Sequence, residues 1–351
     1  MFAYVVRRLL LMVPTLVGIM VVNFAVINMA PGGPIEQLMA RLRQPEGNQP
    51  GAQRQRDVGG DTRSARGLDP EMVKALRAQL GLDKPPVERF LLMMKNYATF
   101  DFGDSFFKNR KVSELVIEKL PVSISIGLWS TLLTYLLCIP LGVAKAVRDG
   151  TLFDAWSSTA LVAMSSIPSF VLALLLVILT ATGTFVSWFP LRGLVSDGWE
   201  DMSLGGQVVD YLWHIVLPVT AMMASGLATM ALLTKNSFLE EIRKQYAVTA
   251  RAKGLRERRV LYGHIFRNAM LLVVSGLPAA LIGALFAGAF LIEIVFSLDG
   301  LGRLGFESMI NRDYPVVFAT VWIFSLIGLV VRLIGDLTYV LVDPRIDFEG
   351  R

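Results

Sequence analysis

The chain has 351 residues, of which 54% are hydrophobic and 18% charged, with a formal net charge of +5. Ordinary soluble domains are ~45–50% apolar, so this composition excludes a simple soluble fold and indicates a polytopic, all-α membrane protein. The positive excess does not argue for a nucleic-acid partner, because the basic residues gather where membrane topology expects them.

Arg7 and Arg8 precede an apolar run from Leu9 to Ala30. The pattern has the look of a signal peptide, but about 20 apolar residues suffice to span a bilayer, so it is read as a retained first span with the N-terminus inside. Six spans are predicted, over residues 9–29, 121–144, 157–182, 215–234, 270–296 and 316–341, which returns the C-terminus to the cytoplasm. Loop charge agrees with this orientation. Arg7, Arg8, Lys145, Arg148 and Arg345 fall inside, whereas the outside loop 183–213 sets Arg192 alone against Asp197, Glu200, Asp201 and Asp210. The organisation expected is an N-terminal span (1–30), an external loop (31–120), a five-span core (121–342) and a short tail (343–351).

The external loop has two characters. Residues 44–67 are rich in Gly, Gln, Arg and Asp, cannot bury enough surface to offset ordering entropy, and are expected to be mobile. Short helices are expected over 70–99. Asp69 is an N-cap before Pro70, with Val73, Leu76 and Leu80 on one face and Gly81 as the stop; Pro85 and Pro86 open a second helix carrying Val87, Phe90, Leu91, Met94 and Tyr97. This pair is read with equal weight as a lid or docking surface and as helices lying on the outer membrane face.

Within the core, Pro140 and Pro168 predict kinks. Cys138 lies in an apolar run and, as the only cysteine, excludes an intrachain disulfide; it is read as a packing residue. His214 and His264 stand at predicted membrane boundaries and are read as interfacial hydrogen-bonding groups, not as metal ligands. Gly276, Ala280, Ala284 and Gly288 form a small-residue stripe suited to close helix approach. Charges at membrane depth are functional candidates by default. Glu293 is a candidate at a cavity or at the interface, and Arg332 with Asp336 are spaced to pair on one helix face.

The most informative stretch is the basic loop 235–268, where nine Lys and Arg residues face only Glu240, Glu241 and Glu257. Its helical spacing puts Tyr246, Ala250 and Lys253/Gly254 on one side and leaves Arg251, Arg258 and Arg259 solvated. An exposed helix between two spans wants a partner. Gly300, Gly302 and Gly305 satisfy G-x-G-x-x-G, but they follow a membrane span with no βαβ unit, so the motif is read as a tight re-entrant or capping turn. The sequence contains no P-loop, H-E-x-x-H or G-x-S-x-G motif, and nothing in it argues for an enzyme.

Taken together, RRLL before a single span, LGLDKP (80–85), FGDS (102–105), TARAKGL (249–255), HIFRNA (264–269), EIVFSLDGLGRL (293–304), RDYPVV (312–317) and DPRI (343–346) resemble the permease subunits of dipeptide and oligopeptide ABC importers. The resemblance implies a type I importer permease fold in the bacterial inner membrane. It also implies a homologous second permease, two ATPase subunits (or one fused ATPase) holding ATP and Mg, and a periplasmic peptide-binding protein. The chain itself would bind no cofactor. In that family the basic loop carries the EAA signature, a coupling helix that docks into a cleft on the ATPase. Aligned on Gly254, the E-A-A positions are Val248, Thr249 and Ala250, so the glutamate is missing; His264, Phe266 and Arg267 replace I-x-L-P. By resemblance, Gly254 makes the turn, and Tyr246, Ala250, Arg251, Ala252, Lys253 and Leu255 form the ATPase-coupling set. The 44–67 insertion resembles the Yej-type subgroup, importers of peptides and of microcin C. A nickel or dipeptide permease of the same family and a proton-driven secondary transporter are the alternatives, the last expected to show inverted repeats and several buried carboxylates.

Overall fold

The computed structural model describes residues 2–29, 84–108, 110–183, 185–286 and 289–342. In chain order the helices are α1 (Phe2–Met29), α2 (Pro86–Ala98), α3 (Val112–Val147), α4 (Leu152–Ser165), α5 (Ser169–Thr180), α6 (Leu204–Ile242), α7 (Gln245–Ala252), α8 (Glu257–Val260), α9 (Phe266–Ser275), α10 (Leu277–Phe286), α11 (Ala289–Val295), α12 (Leu301–Asn311) and α13 (Tyr314–Val342). Among the described residues, five stretches are long and apolar enough to cross a membrane, or six if the bent pair α4–α5 counts as one span. The third expected span is therefore broken. Pro168 stands at the 92° bend, where its missing N–H and its restriction of the preceding residue end α4 and start α5. Pro140, by contrast, lies inside the unbroken α3.

The chain divides into two compact units, one of Met1–Met12, Leu115–Glu307 and Ile323–Arg351, the other of Val13–Glu114 and Ser308–Trp322. In the first, α6 is the central post. It is 39 residues long, ~58 Å at 1.5 Å per residue, and 61% of its apolar window is buried, against 17% for α1. One end packs Leu217, Ala221 and Met222 with Ile126 of α3, Ala173 of α5 and Ile292 of α11. The other packs Leu227, Ala231 and Phe238 with Cys138 and Val143 of α3, Leu161 of α4 and Val273 of α9. The α3–α6 crossing is close because of Gly142. A Cβ there would fall 2.5 Å from Thr234 Cβ and 2.8 Å from the Ala231 carbonyl oxygen.

Asp336 is not paired with Arg332. It accepts from Arg8 at 2.6 Å and from the Tyr4 hydroxyl at 3.1 Å, so it ties the start of α1 to α13. Arg332 is exposed and has no partner among the described residues. A neighbour four residues along one helix is visible in a sequence, whereas one 328 residues away (336 − 8) is not.

The second unit forms around aromatic side chains. Phe24 of α1 meets Phe90 of α2 edge-on at 5.5 Å and stacks with Phe318 of α13 at 6.1 Å; Tyr97 meets Phe102 and Trp322. The helix expected after Pro85 is α2, which turns Phe90, Met94 and Tyr97 inward while Val87 and Leu91 stay exposed. Burial pushes the Tyr97 phenol well above its ordinary pKa. The helix expected after Asp69 and the 44–67 insertion lie outside the described residues. Asp313 follows Arg312, whose φ of 55° is left-handed, and its carboxylate accepts from the buried Ser105 hydroxyl at 2.5 Å and from the Phe106 N–H at 3.1 Å.

Overpacking a close helix crossing forces backbone apart, at about 1–3 kcal/mol. Gly142→Leu is therefore expected to lower the thermal unfolding midpoint of the detergent-solubilised protein. Gly18→Leu, where a Cβ meets nothing within 4 Å, is expected to leave it unchanged.

Candidate functional site

The basic loop begins later than charge alone suggests. Lys235 lies inside α6, and the loop opens at Arg243, with Lys244 in extended conformation as the N-cap of α7. Alanine favours helix and permits close approach. Ala247 and Ala250 are buried against a cluster that includes Phe238, Val260, Ile265 and Ala269. At the helix start, Glu241 accepts from Lys244 at 2.5 Å and from the Tyr246 hydroxyl at 2.6 Å. The Glu241 carboxylate pushes the Lys244 ammonium up from its usual pKa, and burial, reinforced by Glu241, does the same to the Tyr246 phenol.

The helix stops at Gly254, whose φ of 76° is left-handed and whose N–H donates to the Arg251 carbonyl at 2.8 Å. Arg251 then bridges the turn to Glu257 at 2.6 Å. A short α8 and a π-helical turn, Leu261–Ile265, lead into α9. Of the seven residues assigned to coupling, Tyr246, Ala250, Arg251 and Leu255 are buried or half-buried and hold the helix in place. Ala252, Lys253 and Gly254 are exposed. Gln245, Val248 and Thr249 share the exposed face with them. Alignment on Gly254 gave Val248 and Thr249 as departures from a motif, and only the burial pattern shows which way they point.

A charge cluster fastens the basic-loop end of α6 to α3 and α4. The Asp154 carboxylate lies 2.6 Å from Lys235 and 3.0 Å from Lys145, and it accepts from the Gly150 N–H. Lys145 is fully buried and also donates to the Asp154 carbonyl and the Ser157 and Ser158 hydroxyls. Lys235 reaches Asp149 as well. Thr151 caps α4 and accepts from the Asp154 N–H, so the acid is fixed by its own helix start. Read from sequence, Lys145 was an orientation marker and Lys235 one more loop charge.

Glu293 is completely buried. One carboxylate oxygen accepts from Ser123 Oγ at 2.7 Å and the other from the Arg303 N–H at 2.7 Å; Ser123 Oγ in turn accepts from the Leu301 N–H. The carboxylate thus caps the N-terminus of α12, where unpaired N–H groups and the helix dipole favour negative charge. A side chain at Gly300 would collide with it, which explains that glycine of the DGLGRL turn. Lys119 and Asp299 pair beside it. Glu293, a candidate from the sequence at a cavity or at the interface and for substrate binding, has both carboxylate oxygens engaged within its own fold.

A cavity of about 360 Å³ opens between α3, α5, α6 and α10. Ala280 and Ala284 of the small-residue stripe line it, and Ala284 also packs against the cluster of Ile126, Ala173, Ala221 and Ile292, so that part of the stripe serves both a helix contact and open space; Gly288 is outside the described residues.

Residues 138–348 match the family described as binding-protein-dependent transport system inner membrane component. The chain belongs to this family and is a multi-pass inner-membrane permease, a transport subunit. It is 54% identical over 365 positions, spanning both chains completely, to the peptidoglycan transport system permease protein YejB of Agrobacterium fabrum. It is 50% identical, again over both full lengths, to the inner membrane ABC transporter permease protein YejB of Escherichia coli O157:H7. Identity is 31% to the oligopeptide transport system permease protein AppB of Bacillus subtilis, over 99% of this chain and all of that one.

Two substitutions test the charge assignments. Glu293→Gln is expected to destabilise although it is isosteric, because an amide cannot accept from both Ser123 and the Arg303 N–H; one buried donor left unpaired costs about 1–3 kcal/mol. Asp154→Asn is expected to lower the unfolding midpoint more than Asp149→Asn, since the Asp149 side chain is 41% exposed and that of Asp154 9%. Thermal unfolding in detergent checks both.

Proposed function

We propose that this chain is one of two non-identical permease subunits of an ABC importer for oligopeptides, microcin C-like peptide conjugates included. The observation that carries the coupling part of this reading is the two-faced α7. One face is locked onto α6 and α9; the other presents Gln245, Val248, Thr249, Ala252 and Lys253 to solvent next to the Gly254 turn. A helix so held can transmit a push. ATPase subunits bind ATP and Mg, close on one another, and move α7 together with α6; the spans then rock between two open states, with both termini in the cytoplasm. Switching a 99:1 population requires about 5.5 kcal/mol of differential affinity, which ATP binding supplies.

The names carried by the relatives support peptides as cargo, and the peptidoglycan assignment of the Agrobacterium relative makes cell-wall peptides the second reading. A periplasmic binding protein selects the cargo. Mass spectrometry of the ligand that copurifies with that protein tests this part: short peptides are expected, and a metal chelate or sugar would overturn it.

Proline cannot adopt the φ of Gly254 and would also remove its hydrogen bond. In the transporter reconstituted with all partners, Gly254→Pro and Val248→Asp are expected to abolish peptide-stimulated ATP hydrolysis while membrane insertion is retained. Reversing charge at Arg251 and Lys253 together is expected to do the same. Wild-type coupling in all three variants would sink the docking assignment.

A further inference from the structure

The cavity between α3, α5, α6 and α10 has no charged side chain among its described lining residues, although charged clusters stand elsewhere in the same unit. Six of its twelve lining residues carry a hydroxyl. Three of these hydroxyls already donate to their own helices: Ser130 to the Gly127 carbonyl, Thr134 to the Ser130 carbonyl and Ser225 to the Met222 carbonyl. Their protons are engaged, so what they offer a guest is oxygen lone pairs, which accept from N–H groups. These three hydroxyls keep their protons paired without a guest, and they gain acceptor contacts when an amide enters.

Met222 and Met223 add an unbranched, polarizable surface that repacks around different shapes, the chemistry of promiscuous binding sites. Gly226 and Gly283 keep the space open. At Gly283 a Cβ would meet nothing within 4 Å, and at Gly226 only Thr134 Cγ2 at 3.8 Å. Its size, about 360 Å³, falls in the ~300–1,000 Å³ range of ligand sites.

Building on the peptide-importer reading above, we propose that this cavity is the wall that the chain contributes to the translocation path. It accepts the backbone N–H groups of a peptide through hydroxyl oxygens, accommodates variable side chains against Met222 and Met223, and does not select by charge. Passage here is tolerant by construction.

The test uses the complete transporter with its binding protein in proteoliposomes. Wild type is expected to take up lysine-rich and glutamate-rich tripeptides at similar rates from binding protein loaded equally with each. Gly283→Phe is expected to cut uptake of both by at least about tenfold, the factor carried by ~1.4 kcal/mol. Gly283→Asp and Gly283→Lys are expected to shift the ratio of basic to acidic peptide uptake in opposite directions. That ratio is internal to each preparation, so it reads out even where assembly yield falls. Unchanged rates with Gly283→Phe and unchanged ratios with both charged variants would overturn the cavity assignment and leave the permease reading standing. Absence of any peptide uptake by wild type would overturn the permease reading itself.

Discussion

Asp154, held between Lys145 and Lys235, is the contact on which the arrangement of this protein depends. In lipid there is no hydrophobic force to drive one apolar helix against another, so register comes from tight packing and from specific polar contacts. The cluster supplies the polar part at the end of α6 that leads into α7, and the Gly142 crossing supplies the packing one turn away. Removing two lysines and an acid from water is expensive unless each is paired, and here each is. The result is a block of α3, α4 and α6 from which α7 projects.

Two further carboxylates in or beside the spans have partners within the fold. Glu293 closes the start of α12, and Asp336 joins α13 to Arg8 and Tyr4. The cavity is left neutral. A permease coupled to an ion gradient would need carboxylates facing its pathway, whereas one driven by subunits at its coupling surface can line the pathway with hydroxyls, thioethers and glycine. The distribution of charge and the proposed energy source are thus consistent with each other.

Much of this was legible in the sequence, and the reasons differ by element. Apolar length marks a span because hydrocarbon thickness is fixed, so α1, α3, α6 and α13 cover four of the expected spans, whereas the span expected over 270–296 falls on residues 257–284, with α11 a separate helix. The family resemblance implied a turn at Gly254, and its left-handed φ of 76° is a conformation that few residues but glycine adopt. Pro85 and Pro86 opened α2 as expected. What stayed hidden depended on partners distant in the chain. The i,i+4 rule offered Arg332 to Asp336, while folding brought Arg8. Helical periodicity grouped Tyr246 and Ala250 with Lys253, but it could not say that α6 and α9 would cover the first two and leave the third to solvent. Small residues spaced by four promised a helix contact, which Ala284 makes, yet Ala280 and Ala284 also border a void, since the same lack of side-chain volume serves both ends. The bend at Pro168 was expected as a kink; only the fold shows that it divides the span.

The pairing of Ser105 with Asp313 has a bearing on how the protein is made. The two residues are 208 positions apart, and the aromatic contacts of Phe24 and Tyr97 likewise wait for Phe318 and Trp322. At ~5–20 residues per second, roughly 10–40 s of synthesis separate the emergence of Ser105 from that of its acceptor. Throughout that interval the first helix and the segment after α2 lack the partners that complete their unit. That unit is therefore complete only once Asp313 and the start of α13 have been synthesised.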